Sequence, residues 1–291
     1  MLKPEISVII VNWRVRRLVE QCLKSILAYS DGINIEIIVV DNDSRDNLAE
    51  MLMMDFPDVK FVGLDKNCGF AKATNLAIKQ AAGEIICLLN PDTELMPNFF
   101  PGVLKYFQEH SEVSLLGPKL LNPDGSPQAS IRRLPDLKSQ ILILFKLKNI
   151  LPQHKYLANY LAADFDYSRE QSVDQIMGAA MICRRDLFDK IGLFDEHFFV
   201  WFEEVDLCYR VKKAGLDIRY VPQLQIIHHG GASFKLANSL GKQWIFDRSL
   251  VYYFWKNRPW YQALVLTLLV PINLCLTIIY VLAFKNKPTA F

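Results

Sequence analysis

Short apolar runs alternating with stretches of helical spacing constrain this chain more than any other feature. Ile6-Ser-Val-Ile-Ile-Val11 has the length and β-branched content of a strand buried on both faces, and Ile35-Glu-Ile-Ile-Val-Val40 repeats it. Between them Leu18, Val19, Cys22, Leu23, Ile26 and Leu27 keep helical spacing. This βαβ unit continues along the chain. Val59 to Gly63 reads as a short strand, Phe70 to Ala82 as a helix stopped by Gly83, and Ile85 to Leu89 as a strand. Pro97 to Glu109 then reads as a helix and Val113 to Gly117 as a further strand. Such alternation predicts an α/β fold whose strands are buried on both faces. The 291 residues, 51% of them apolar, suffice for a substantial core.

The pattern loosens after Asn122. Asn122-Pro-Asp-Gly125 is a turn, Arg132-Arg133-Leu-Pro135 is basic, and Leu137 to Ala163 reads as helical, aromatic and basic, suited to a lid or a membrane surface. Trp260 to Phe284 is apolar over about a bilayer span, with Lys256 and Arg258 before it and Lys285 and Lys287 after it. Pro271 and Asn273 interrupt it, so a kinked span, a re-entrant hairpin and an interfacial segment all fit, as does a buried helix of a soluble domain. Trp260, Tyr261 and Tyr280 near its ends favour membrane association, while basic residues on both sides give no orientation. Met1 to Ile6 carries no signal-peptide pattern. The net charge of +2 is dispersed, which argues against nucleic acid as a partner. The six cysteines form no C-x-x-C and sit mostly in apolar runs, as packed, reduced thiols do.

In open α/β sheets ligands bind beyond the carboxyl ends of the strands. Asn12-Trp13, Asp41-Asn42-Asp43-Ser44 and Asn90-Pro91-Asp92 stand there, and no G-x-G-x-x-G follows the first strand. Asp41 is placed to accept from the N3–H of a uracil or thymine ring, with backbone groups of the first strand beside it. Asp43 and Ser44 serve an Asx turn or a helix cap equally well. Asn67-Cys-Gly69-Phe70-Ala-Lys-Ala-Thr-Asn75 opens a helix with small residues, fitting a phosphate, a base edge or close packing. Asn90 and Asp92, two apart on an extended chain, present oxygen ligands suited to Mg²⁺ or Mn²⁺ on a diphosphate, or form a polar turn.

Glu203 and Glu204 open a helix whose apolar stripe is Leu207, Cys208, Val211 and Ala214 and whose stop is Gly215. Acids there often only complement the helix dipole, and Asp206 with Arg210 is a plain i,i+4 pair. Burial beside Phe199, Trp201 and Phe202 would instead raise a carboxyl toward the range of a general base. His228-His229-Gly230-Gly231-Ala232-Ser233 follows an apolar strand and is better explained by a site than by packing.

Taken in order, Ser7 to Trp13, Val39 to Ser44, Asn67 to Asn75, Leu89 to Asp92, Glu203 to Cys208 with Arg210, and His228 to Ser233 resemble the inverting glycosyltransferases of family 2, within them the rhamnosyltransferase-like enzymes. The similarity covers about residues 5 to 258; each motif is weak and the ordered set is specific. The resemblance implies the GT-A fold, with a glycosyltransferase domain over 1–258 and a hydrophobic membrane-associated segment over 259–291. The nucleotide-sugar half would be about 1–120 and the acceptor half about 121–258. It further implies transfer of a sugar, rhamnose among the candidates, from a nucleotide-diphosphate donor to a lipid-linked or polysaccharide hydroxyl. The setting would be bacterial surface-glycan synthesis at the cytoplasmic face of the cell membrane, with membrane lipids as further partners.

On the same resemblance Val11, Asn12, Asp41, Asp43, Asn67, Gly69, Phe70, Asn75, Asn90 and Asp92 would bind the nucleotide sugar. Asp92, Asn90 and His228 would hold Mg²⁺ or Mn²⁺. Glu204 would be the general base, with Glu203 beside it in the catalytic pair supporting the acceptor site. Trp201, Asp206, Arg132 and Arg133 would serve the acceptor. Asn90 stands where the family's metal motif more often has Asp, which predicts a weakly held cation, and Glu204 replaces a more usual Asp, moving the carboxylate by about a methylene. Those departures leave a catalytically weak or silent carbohydrate- or nucleotide-binding protein of the same fold as a rival. A sugar nucleotidyltransferase, the other rival, would need a glycine-rich triphosphate loop, which the residues after Val11 lack.

Overall fold

The computed structural model describes residues 3–148, 150–151, 153–230 and 239–283. The strands β1 (Ile6–Asn12), β2 (Ile35–Asp41), β3 (Lys60–Gly63) and β4 (Ile85–Leu89) run parallel in the order β3-β2-β1-β4. Beyond β4 the sheet continues through β10 (Ala180–Arg184), β6 (Val113–Leu121), β11 (Asp217–His228) and β5 (Thr93–Leu95), with β8 (Gln171–Ser172) at the side of β11. β10 is antiparallel to both its neighbours and β11 is parallel to β6. Six of the nine strands therefore point the same way, and their carboxyl ends share one edge. Strands from both sides of residue 120 interleave in this one sheet.

Strand alternation divides the core in two. Ile6, Val8, Ile10, Ile37 and Val39 face α1 (Arg16–Ala28), α2 (Leu48–Asp55) and α4 (Phe99–Glu109). Ile9, Val11, Ile38 and Val40 face α3 (Phe70–Ile78), α7 (Leu187–Ile191) and α8 (Glu203–Lys213). Ala71, Ala73 and Ala77 are fully buried in α3, where methyl side chains let the helix lie close on the sheet. Four cysteines are buried and none forms a disulfide.

Several elements differ from the sequence expectation. The helix expected over Leu137 to Ala163 is two helices, α5 (Leu137–Leu144) and α6 (Lys155–Tyr160), separated where Lys146 takes a left-handed φ of 59°. Asn149 and Pro152 in that interval lie outside the described residues. Asp136 caps α5 by accepting from the Lys138 and Ser139 N–H groups. The strand carrying Ile226 and Ile227 begins nine residues before that apolar pair, at Asp217, and ends at His228, while β5 and β10 carried no strong pattern. A small second sheet pairs β7 (Ile131–Arg132) with β9 (Gln175–Ile176).

A helix over Ser239–Asn257 leads into one over Trp260–Ala283 that continues through Pro271. The two pack together, and Leu250, Tyr253, Phe254, Ala263 and Leu266 join Phe198, Phe202 and Val205 in a third apolar cluster. Asn273, anomalous in an apolar run, is buried and donates to Asp247 at 2.7 and 2.9 Å. Leu264, Leu268, Ile272, Ile279 and Leu282 remain exposed. Trp260 to Ile279 is the one segment among the described residues long and apolar enough to cross a membrane. Phe284, Lys285 and Lys287 lie outside the described residues, as do Gly231, Ala232 and Ser233.

Candidate active site

A cavity of about 660 Å³ opens at the carboxyl edge of the sheet. One side is made by residues at strand ends: Val11 at the end of β1 and Trp13 after it, Asn42 after β2, Asn90 and Asp92 after β4, and His228 closing β11. The other side is helical and aromatic, with Trp201, Glu203 and Glu204 at the start of α8 and Phe246 from the Ser239–Asn257 helix.

At the sheet side, His228 is buried and its Nδ1 lies 2.6 Å from the Gln128 Oε1. The amide of Gln128 is oriented by donating to Asn122 Oδ1 at 3.0 Å, so its Oε1 faces the ring. Nδ1 therefore carries the proton in the neutral ring, and Nε2 presents a lone pair. Nε2 has no hydrogen-bond partner and lies 3.4 Å from Asp92 Oδ1. A histidine fixed through one nitrogen by a carbonyl, with the other aimed past a carboxylate into a cavity, is a suitable donor pair for a divalent cation. The described residues hold no group of three or more His, Cys, Asp or Glu around one point, so a diphosphate and water would complete the shell. His229 turns away and pairs with Glu94 at 2.8 Å.

At the helical side the backbone is strained: Trp201 and Phe202 take left-handed φ values of 65° and 69°, at a cost of about 1–3 kcal/mol each. This bend delivers two adjacent acids to the cavity. Glu203 is held far above the usual carboxyl range, by burial first and by Glu204 second. Burial also raises Glu204, opposed by backbone N–H groups and by Arg132. The Oε2 atom of each is buried without a hydrogen-bond partner.

Gly69 joins the two sides. Its φ is +86°, and a Cβ there would fall 2.4 Å from the Phe199 carbonyl oxygen. Phe70 N–H donates to that same oxygen at 2.7 Å. The neighbouring amides are also taken, Cys68 N–H by Asn42 Oδ1 at 2.9 Å and Gly69 N–H by Asn67 Oδ1 at 3.0 Å. This helix start is thus a packing joint, the close-packing alternative of the sequence reading, and Asn67, Gly69 and Phe70 also line the cavity.

Of the residues expected to form the site, Glu204, Glu203, Val11, Asn67, Gly69, Phe70, Asn90, Asp92, Trp201, Arg132 and His228 converge on this cavity. Others stand off it for identifiable reasons. Asn12 is buried and spends its amide on Asp41, Ser44 and Asp46, leaving Asp41 as its half-buried acceptor at 3.0 Å. Asp43 pairs with the exposed Arg45. Asn75 is buried and ties α3 to Phe194 through both its oxygen and its nitrogen. Arg133 turns outward to Asp164 and the Asn159 carbonyl.

Asp206 is fully buried and structural. It accepts from Arg210 at 2.8 Å and Asn257 at 2.9 Å and forms an ion pair with Lys256 at 2.8 Å. Lys256 also reaches Asp195 at 2.7 Å, where Tyr252 adds a hydrogen bond. Burial alone would raise Asp195, but Lys256, the His197 amide and ring, and Tyr252 hold it well below the usual carboxylate range. This clamp fixes the segment between Asp195 and α8 onto the Ser239–Asn257 helix. Sequence reasoning put Trp13 and Asn42 at ligand-facing strand ends without giving them a role, and it missed Tyr160, Lys148, Lys242 and Phe246 as cavity residues.

The profile described as "Glycosyl transferase family 2" matches residues 7–192. The N-acetylglucosaminyl-diphospho-decaprenol L-rhamnosyltransferase of Mycobacterium tuberculosis is 29% identical over 206 residues, 67% of this chain and 66% of that protein. Rhamnosyltransferase WbbL of Escherichia coli is 25% identical over 241 residues, covering 77% and 83% of the two chains. The present chain thus spans just under two thirds of the mycobacterial relative's length. Among solved structures, the mannosyltransferase PcManGT of Pyrobaculum calidifontis in complex with GDP-Man and Mn²⁺ superposes with a TM-score of 0.58 at 16% identity, covering 100% of this chain and 77% of its own. GalNAc-T7 with UDP, GalNAc and Mn²⁺ gives 0.60 at 15%, covering 86% and 48%. The shared architecture is GT-A, and the ordered strand-end motifs together with the match over residues 7–192 place this chain in glycosyl transferase family 2.

Proposed function

We propose that this protein transfers a sugar, with inversion, from a nucleotide-diphosphate donor to a hydroxyl of a lipid-linked or polysaccharide acceptor. The observation that carries this reading is that Glu204, a buried carboxyl with an unpartnered oxygen, shares one cavity with Asp92 and the free Nε2 of His228. Displacement at an anomeric carbon requires a proton acceptor on one side of that carbon and charge neutralisation on the other.

In this reading the nucleoside half of the donor lies against Val11, Asn42 and Asn67, with Asp41 at the rim, and its diphosphate lies toward Asn90, Asp92 and His228. A divalent cation held by Asp92 and His228, when bound, neutralises the departing diphosphate. Asn90 removes one charge from that set, consistent with weak metal dependence. Glu204 accepts the proton of the acceptor hydroxyl as its oxygen bonds to the anomeric carbon, and the nucleoside diphosphate leaves with the electron pair of the broken C–O bond. Burial and the neighbouring Glu204 raise Glu203 above the usual carboxyl range, which favours placing the pair's negative charge on Glu204, beside Arg132. Trp201 and Arg132 face the acceptor.

The domain reading follows the same division: residues 1–258 form the transferase, with donor and acceptor halves meeting near 120, and 259–291 associate with membrane. The exposed apolar face of the Trp260–Ala283 helix supports that association, at the cytoplasmic face where nucleotide sugars are made. Rhamnose is the first donor sugar to test, given what the mycobacterial and E. coli relatives are named for. The test is a screen of nucleotide sugars with the membrane-reconstituted full chain, read as nucleoside diphosphate release. Wild type should turn over at least one donor and Glu204→Gln should bind it without turnover; equal release by both proteins would defeat the proposal.

A further inference from the structure

The Trp260–Ala283 helix carries no charged residue, yet it is tied to the rest of the molecule along most of its length. Near its start Ala263 and Leu266 are fully buried in one cluster with Leu250, Tyr253 and Phe254, and α5 packs on it as well. Further along, the Trp255 indole donates to Thr267 at 3.2 Å and Asn273 donates to Asp247 at 2.7 Å. A move of eight residues back on one helix, from Trp255 to Asp247, thus moves the contact six residues forward on the other, from Thr267 to Asn273. The two helices therefore lie antiparallel and side by side. Thr277, one turn beyond Asn273, is buried too.

This packing decides how the helix can meet a bilayer. At a rise of about 1.5 Å per residue, Asn273 stands about 20 Å along the helix from Trp260. If the helix crossed a membrane with Trp260 at one surface, Asn273 would lie past the middle of a hydrocarbon layer about 30 Å thick. Asp247 and its exposed neighbour Arg248 would be carried to that depth, together with Phe246, which lines the cavity. An exposed guanidinium is costly in hydrocarbon. The obstacle to crossing is thus the neighbouring helix, not the apolar one.

The uncovered side of the helix is one stripe. Trp260, Leu264, Leu268, Ile272, Ile279 and Leu282 are exposed, and at about 100° per residue they fall within an arc of about 120°. Ala263, Leu266, Asn273 and Thr277 occupy the opposite side. The stripe is about 33 Å long and about 10 Å wide, roughly 330 Å² of surface. A standard protein interface takes about 800 Å² from each partner, so the stripe alone is too small for a second copy of the chain. The acyl region beneath lipid headgroups needs only a straight apolar edge, and an aromatic residue at its end suits the same boundary. We infer that this helix lies flat in one leaflet, its axis in the membrane plane, with the stripe from Trp260 to Leu282 among the acyl chains and the Ser239–Asn257 helix on the aqueous side. The inference deepens the membrane association proposed above and rests on it.

Cys275 is exposed on the same stripe and supplies a native labelling position. The test uses the full chain with Cys68→Ser, on vesicles of phosphatidylcholine and phosphatidylglycerol. A nitroxide is attached at Cys275, or at Leu268→Cys or Leu282→Cys with Cys275→Ser, and its depth is read from relaxation by oxygen against a water-soluble nickel chelate. All three labels should stand at one depth, about 5–10 Å below the headgroups. A label at position 268 that lies about 10 Å or more deeper than one at 282 means that the helix crosses, which overturns the flat placement and leaves membrane association standing. Leu268→Glu with Ile272→Glu should weaken vesicle binding about tenfold or more and leave nucleoside diphosphate affinity unchanged. Undiminished vesicle binding by that variant overturns the inference. So does a wild type that ignores vesicles and dimerises until the same two substitutions are made, which would give the stripe to a second copy. A wild type that stays monomeric and off the vesicles defeats both the flat placement and the association beneath it, while turnover of a nucleotide sugar by that same protein would leave the transferase reading intact.

Discussion

At the sheet side of the cavity Asp92 and His228 sit where β4 and β11 stop, and the antiparallel pairing of β11 with β5, in which His228 stands opposite Thr93, brings them together. At the helical side Glu203 and Glu204 depend on two strained residues, an ion clamp and a pair of helices added after the sheet is complete. The first arrangement gains its precision from backbone hydrogen bonding, and the second from side chains drawn from distant segments. The sheet side should therefore tolerate perturbation elsewhere in the molecule, and the helical side should not.

The largest effect tests the helical side directly. Glu204→Gln should lower kcat by about 10²–10⁴-fold, the range for loss of a general base, with donor affinity held within a factor of about two. If donor binding falls equally, the two sides are not separable. Next, Asp92→Asn should weaken binding of a nucleoside diphosphate with Mn²⁺ by about 10–100-fold, with a smaller loss when Mn²⁺ is absent, as titration calorimetry would read. An identical loss in both conditions would remove Asp92 from the metal set. Lys256→Met should reduce kcat while sparing donor affinity, and should lower stability by about 1–3 kcal/mol, because Asp206 keeps Arg210 and Asn257. Lys256→Arg should restore both.

The smallest effect is in pH dependence. Burial raises Glu203, so the folded protein keeps its proton at pH values where the unfolded chain has released it. Between the ordinary carboxyl range and the raised folded value, stability should fall as pH rises. Glu203→Gln should flatten that slope in urea titrations. A slope that is unchanged would mean Glu203 ionises freely and does not insulate its neighbour.

What could be read from the sequence follows the same contrast. The first four parallel strands, the helices between them, and the polar residues closing each strand are local patterns, since burial on both faces imposes unbroken apolar runs. β10 gave no such signal, as its antiparallel insertion between β4 and β6 depends on pairing rather than on its own five residues. Asp206 misled because a buried acid near aromatic residues reads the same whether it meets a ligand or Lys256. Asn75 misled likewise, its partners at Phe194 lying 119 residues away. Lys148 and Lys242 could not be found at all, since only the tertiary fold brings them to one wall.

The Phe199 carbonyl pressed against Gly69 has a practical consequence for anyone exchanging donor loops between relatives. The segment that meets the nucleotide and the segment that carries the base are in van der Waals register through a single hydrogen. A transplanted loop bearing alanine at position 69 would push the aromatic bend outward before any specificity contact was tested. Chimeras in this fold should accordingly be cut so that both segments travel together.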